Sequence, residues 1–362
     1  MTEPRDGSGT PRTRLTQIAS IRPDVSSRPI STAADATEPC DLLILGRGPA
    51  ASAAALVATR LGLSTIMMAP RRAATAVPAE MVPAGFADTL ARIGLRTRGL
   101  CREGRFSTAG GATLAGWHVD RVHLDLLLLR AAVRSGAQLR HEMPEVPIQE
   151  QGRIGGVLTV RGAVRSRMLI DATGNAAWLR RSLGLRRIAL SDPMIVARGQ
   201  VRGEVASLGV DGMRFVPEPN GWALMIAHDG LISWTALCTD GQQPVAPSVL
   251  ASLPETIAAS KAATGWQLTQ PVAGDGWLIA GDAGGRVDPA GGSGLSDALA
   301  SGARAAHAAA QSLQSEGPGM GARTSYDEWF ADLITDRAAE LARRYELHGI
   351  RLDRHPMRSR AA

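Results

Sequence analysis

The apolar run Asp41-Leu-Leu-Ile-Leu45, followed at once by Gly46-Arg-Gly48-Pro49-Ala50-Ala51, constrains this chain more than any other stretch. A short, continuously apolar segment reads as a strand buried on both faces of a parallel sheet. The glycines permit a tight turn, and an alanine-rich helix follows from about Ala50 to Leu61. Ser64-Thr-Ile-Met-Met68 is the next strand, which completes a βαβ unit. A helix start of this kind offers N–H groups and positive dipole to a diphosphate, with Ala51 in the place of the third glycine. Taken alone, the motif is a moderate signal, since about one such pattern in three is merely a tight strand-to-helix turn. The acid that should close the second strand and hold a ribose is missing, because Met68-Ala69-Pro70-Arg71 stands there.

Two later turns sharpen the reading. Asp171-Ala-Thr-Gly174 follows the strand Met168-Leu-Ile170, and small residues there let the chain run close to a dinucleotide. Leu278-Ile-Ala-Gly281-Asp282 ends another strand, and Asp288-Pro289-Ala-Gly-Gly292-Ser-Gly294 opens a helix to about Leu313. At a strand end, Asp282 is placed to accept hydrogen bonds from ribityl hydroxyls. The dipole of the following helix would favour negative charge on a reduced flavin ring. Three such turns in this order point to FAD, held by Gly46, Gly48, Pro49, Ala50, Ala51, Asp171, Gly174, Asp282, Pro289, Gly292 and Gly294.

These segments resemble the FAD-binding stretches of the flavin monooxygenase and tryptophan-halogenase-like superfamily. Asp120-Arg121-Val-His-Leu124-Asp125 is similar to a further signature of that group, in which an arginine opens a helix and touches FAD. Pro78-Ala-Glu80-Met-Val-Pro83, with Leu90–Leu95, resembles a halogenase stretch, and also the short flavoproteins that mature cysteine-tryptophylquinone oxidases. The resemblance implies an α/β fold: a glutathione-reductase-like, Rossmann-type FAD domain with an inserted antiparallel β-sheet substrate domain. The FAD domain is expected over 40–76, 117–187 and 269–315, and the substrate sheet over 77–116 and 188–268. The composition of residues 1–39, rich in Ser, Thr, Pro and Arg, predicts a disordered leader, and 316–362 a helical tail. A hairpin is expected around Gly155-Gly156, and a helical segment around Lys261.

The resemblance constrains the cofactor more than the reaction. Halogenases need a lysine to pass on hypohalous acid, and Lys261 is the single lysine among 40 basic residues. Their Trp-x-Trp-x-Ile-Pro stretch is reduced here to Trp222-Ala-Leu-Met-Ile-Ala227. The leading expectation is therefore a monooxygenase acting on an aromatic substrate, either a small molecule or a client protein or peptide such as a peptidyl tryptophan. It would use O2 and electrons from an external flavin reductase or NAD(P)H. Glu80, Trp222 and His228 are the pocket candidates, each with a structural alternative: a solvated acid or backbone cap for Glu80, sheet core for Trp222 and a turn residue for His228. A prenyl-reductase-like oxidoreductase, a halogenase and a non-catalytic maturation factor are the competing readings.

Composition bounds the rest. The chain has 362 residues, 44% hydrophobic and 20% charged, enough for a sizeable core. The net charge of +6 is carried by arginines with no interleaved aromatics, so no nucleic-acid partner is read from it. Cys40, Cys101 and Cys238 offer neither CxxC nor metal spacing. Arg47 and Arg60 interrupt the most apolar stretch, which argues against a membrane span, and a cytoplasmic setting is expected.

Overall fold

In the computed structural model, residues 39–71, 80–96, 101–107, 113–208, 212–218, 220–228, 230–244, 246–250, 258–314, 320–353 and 355 are described. The predicted leader, up to residue 38, and Pro78-Ala79 lie outside them. β1 (Cys40–Leu45), α1 (Pro49–Arg60) and β2 (Thr65–Met68) form the expected βαβ unit. Next come β3 (Glu80–Pro83), α2 (Phe86–Arg92), β4 (Cys101–Ser107), β5 (Thr113–Val119) and α3 (Arg121–Arg134). They lead to β6 (Gln138–Arg140), β7 (Val146–Glu150), β8 (Arg153–Thr159), β9 (Gly162–Asp171) and α4 (Trp178–Ser182). Then follow β10 (Arg186–Ala189), β11 (Met194–Arg202), β12 (Met213–Glu218), β13 (Gly221–His228), β14 (Leu231–Cys238) and β15 (Ala258–Thr264). β16 (Gln267–Gln270), β17 (Ala273–Gly274), β18 (Trp277–Ile279), β19 (Gly285–Arg286), α5 (Gly294–Gln314) and α6 (Met320–Leu347) complete the elements.

Three sheets result. The first runs β17-β18-β9-β1-β2-β6, parallel from β18 to β6, with the β7–β8 hairpin attached to β9. The second runs β15-β11-β14-β13-β12-β4-β5-β3 and is antiparallel apart from the β12–β4 contact. The third is the small antiparallel sheet β10-β16-β19. Strands expected in one inserted sheet are thus divided. β10 pairs instead with β16, and β16 with β19, just after the Gly281-Asp282 turn.

Small residues set the spacing of the nucleotide fold. Ala50, Ala51, Ala53, Ala54, Ala55 and Ala58 of α1 are buried. α5 meets this face so closely that a Cβ on Gly302 would lie 2.1 Å from the Ala50 carbonyl oxygen. The main core runs from β1 through α5 to α6 and takes in Trp222, while a second cluster around Met225, Ile232 and Trp234 covers the other face of β13 and β14.

Two local expectations are corrected. Gly155 and Gly156 lie inside β8, and the hairpin turns fall at Gln151-Gly152 and Val160-Arg161. Gly156, with φ of 136°, serves a close backbone approach, since a Cβ there would sit 2.2 Å from the Val164 oxygen. Lys261 lies in a strand, not a helix. β15 pairs with β11, placing Lys261 opposite Ala197, and this pairing outweighs the helix preference of its alanines. Among the described residues, no helix is long and apolar enough to cross a membrane.

Candidate functional site

Register brings the three predicted turns together. Leu45 of β1 and Ile279 of β18 both pair with Asp171 of β9, so Gly46, Ala172 and Ala280 leave three adjacent parallel strands side by side. Ligands of open α/β sheets bind at such carboxyl ends. The chain crosses itself tightly there. Gly46 has φ of 123°, and a Cβ on it would come within 2.3 Å of the Ala172 oxygen. Gly281, with φ of 61°, donates its N–H to Ser301 Oγ at 3.0 Å. Gly174 and Gly292 also adopt positive φ.

The residues present fit a dinucleotide. A Cβ on Gly48 would meet nothing within 4 Å, and no side chain caps α1. Gly48, just before α1, therefore borders open space, and the positive end of the helix dipole points toward it. Asp282 is exposed to solvent, yet protein atoms crowd around its carboxylate. This partial desolvation raises its pKa, against the pull of Arg286, Arg121 and Arg198. Asp171 behaves differently. It is buried, and its carboxylate accepts from the N–H groups of Thr173 (2.9 Å) and Leu179 (2.7 Å), so it shapes its own turn. Burial raises its pKa, with those donors opposing.

Arg121 stands at the start of α3, after the N-cap Asp120, whose carboxylate accepts from His123 N–H. Its Nη1 donates to Glu80 Oε1 at 2.6 Å, and its Nε and Nη2 donate to the two oxygens of Asp125 at 3.2 Å each. Burial opposes its charge, but Glu80 and Asp125 outweigh that and raise its pKa. Glu80, Arg121 and Asp282 thus belong to one neighbourhood. Arg286 adds a second arginine. It donates to Asn175 Oδ1, just past Gly174, while its Nε is buried without a hydrogen-bond partner. Burial lowers its pKa; Asp282 opposes this, and Arg187 and Arg198 reinforce it.

The other pocket candidates separate. Trp222 is 1% exposed, and its Nε1 donates to Tyr345 at 2.5 Å. His228 ends the same strand six residues on, which is about 20 Å at the usual strand rise. Trp266, Asn175, Arg286 and Tyr345 escaped sequence reasoning, because no local pattern marks them. Asp288 stood in the third motif without a role. It is 4% exposed and accepts from Trp266 Nε1 (2.7 Å), Tyr345 Oη (2.8 Å) and Ala290 N–H (3.0 Å). Among the described residues, no His/Cys/Asp/Glu group is arranged to hold a metal.

Three aligned strand-end turns over a parallel sheet, with an antiparallel sheet inserted between them, define the fold of FAD-binding Rossmann-type flavoproteins. No family model matches the chain. Its structure is similar to that of a flavin-dependent brominase, with a TM-score of 0.74 and 20% identity over 86% of this chain and 88% of that one. A geranylgeranyl bacteriochlorophyll reductase-like protein of Thermoplasma acidophilum is similar with a TM-score of 0.71 and 18% identity, covering 87% and 88% of the two chains. A peptidyl tryptophan dihydroxylase essential for tryptophylquinone cofactor biogenesis follows with 0.69 and 19%, covering 86% and 76%. In sequence, the chain is 24% identical over 326 residues to a 1H-pyrrole-2-carbonyl-[peptidyl-carrier protein] brominase of Pseudoalteromonas luteoviolacea, spanning 75% of this chain and 78% of that one. The resemblance and the fold class read from the motifs are borne out.

Proposed function

We propose that this protein is an FAD-dependent oxidoreductase of the monooxygenase type, acting on an aromatic ring with O2 and an external source of electrons. The observation that carries the reading is the in-register convergence of Gly46–Ala51, Asp171–Gly174 and Gly281–Gly294 at the carboxyl ends of three adjacent strands. The start of α1 would take the diphosphate, and Asp282 would accept from ribityl hydroxyls. Arg121, held by Glu80 and Asp125, supplies fixed positive charge near Asp282. α5 directs its N-terminal dipole toward the glycine-rich turn at Gly292–Gly294. When bound, FAD supplies two-electron chemistry and reactivity toward O2 that no side chain here offers.

The brominase and the tryptophan dihydroxylase are named for substrates borne on a carrier protein or a peptide, which supports a tethered aromatic substrate for this chain as well. A cytoplasmic setting accords with the free Cys40 and Cys238. Likeness to brominases favours halogenation as the second reading. Against it, Lys261 is exposed on β15, at one edge of the second sheet, while Glu80 lies on β3 at the other.

The test is direct. The purified protein should carry flavin absorbance, and acid precipitation should release FAD. An apoprotein that takes up no added FAD overturns the reading.

A further inference from the structure

α6 runs along the third motif with one face. Tyr326 Oη donates to the Ile279 carbonyl at 2.9 Å, and Asp327 Oδ1 accepts from Val272 N–H at 2.7 Å. Phe330 and Ile334 fill the places where Gly284 and Gly285 lack side chains, 2.7 and 2.9 Å from the positions a Cβ would take. Arg337 Nη2 pairs with Asp297, in the first turn of α5, at 3.1 Å. Tyr345 then reaches Asp288, immediately before Pro289-Ala-Gly-Gly292. The spacing 326, 330, 334, 337, 345 is that of one helical stripe. The third motif is therefore backed along its length by the C-terminal helix.

Tyr345 is also a junction. Its hydroxyl accepts from Trp222 Nε1 of the second sheet and donates to Asp288 Oδ2, which Trp266 Nε1 also binds. All four residues are buried, so neither Trp222 nor Asp288 has water as a substitute partner. We infer that Tyr345 is a positioning residue of the cofactor site: through Asp288 it fixes the glycine-rich turn, and through Trp222 it ties that turn to the inserted sheet. The inference rests on the FAD reading. It assigns to the helical tail, which carries no nucleotide motif, control over how tightly and in what orientation flavin is held.

The test uses the full-length protein with Tyr345→Phe, Trp222→Phe and the double variant. Three quantities are read: the FAD dissociation constant, the visible circular dichroism of bound flavin and the melting temperature of the apoprotein. Tyr345→Phe should raise the dissociation constant roughly tenfold, as the loss of a hydrogen bond to a carboxylate implies, and change the flavin dichroism. Trp222→Phe should do less, and the double variant no more than Tyr345→Phe alone, because Trp222 acts through Tyr345. Should Tyr345→Phe not fold, Arg337→Gln, on the partly exposed part of the same stripe, should still weaken FAD binding several-fold. A lower melting temperature with unchanged affinity and dichroism would reduce Tyr345 to a packing residue and overturn the inference. A wild-type protein without FAD uptake fails the cofactor reading first, and this inference with it.

Discussion

Arg121 and Glu80, 41 residues apart in sequence, form an ion pair of 2.6 Å within electrostatic reach of Asp282. Asp125 binds the rest of the guanidinium through both oxygens. An arginine fixed by two carboxylates loses little side-chain freedom when it meets an anionic or polar ligand. Glu80→Gln should therefore weaken FAD binding modestly, by roughly 0.5–1 kcal/mol for a partly exposed pair. Arg121→Met should weaken it more. A Glu80→Gln effect that persists undiminished in the Arg121→Met background would show that Glu80 contacts the ligand itself rather than acting through Arg121.

Gly46 and Gly48 make contrasting predictions. Gly48 has φ of −77° and ψ of −174°, open to any residue, and faces no protein atom within 4 Å. Gly48→Val should keep the wild-type circular dichroism and lose flavin, since only a ligand competes for that space. Gly46→Ala should damage the fold, because its φ of 123° and the nearby Ala172 oxygen leave no place for a methyl. Full flavin content in folded Gly48→Val would move the nucleotide elsewhere.

Asp282→Ala should weaken FAD binding by roughly 1.5–3 kcal/mol, the range for hydrogen bonds to a charged group. Titration of the apoprotein with FAD measures this. An unchanged dissociation constant would remove Asp282 from the site.

Asp288 gives a pH dependence of defined sign. Burial raises its pKa above that of the unfolded chain, with the Trp266 and Tyr345 donors opposing. Its stabilising contribution is then fully present below about pH 4, the unfolded value, and is lost as pH rises through the folded value. Asn cannot ionise. Asp288→Asn loses an acceptor at every pH, so its apoprotein should be less stable than wild type, but the deficit should shrink as pH rises above about 4. Denaturant midpoints across that range measure it. A deficit that grows with pH would place the folded pKa of Asp288 below the unfolded one.

The reaction itself is tested with reduced enzyme, O2, chloride or bromide, and an aromatic substrate, free or tethered. Mass spectrometry should show products heavier by oxygen atoms, without a halogen isotope pattern. Lys261→Met should leave turnover unchanged, since Lys261 is exposed on an edge strand. A halogenated product that disappears in this variant would establish the second reading.

Each nucleotide turn was legible locally, because strand, glycine and helix start are neighbours in sequence and their geometry is dictated within about ten residues. The alanine-rich α1 and α5, the apolar β1 and the position of Asp282 belong to this class. What the sequence left undetermined is long-range. Lys261 sits in a strand because β11 offers it backbone partners, and Gly155-Gly156 lie in mid-strand because β9 passes close by. Tertiary packing also decided that Glu80 on β3 meets Arg121 at the start of α3. Tyr345, from the far end of the chain, meets Asp288 only because α6 folds back along the third motif. Such contacts leave no local pattern: their partners are chosen by burial and by the need to satisfy buried donors, and both arise only when the whole core closes.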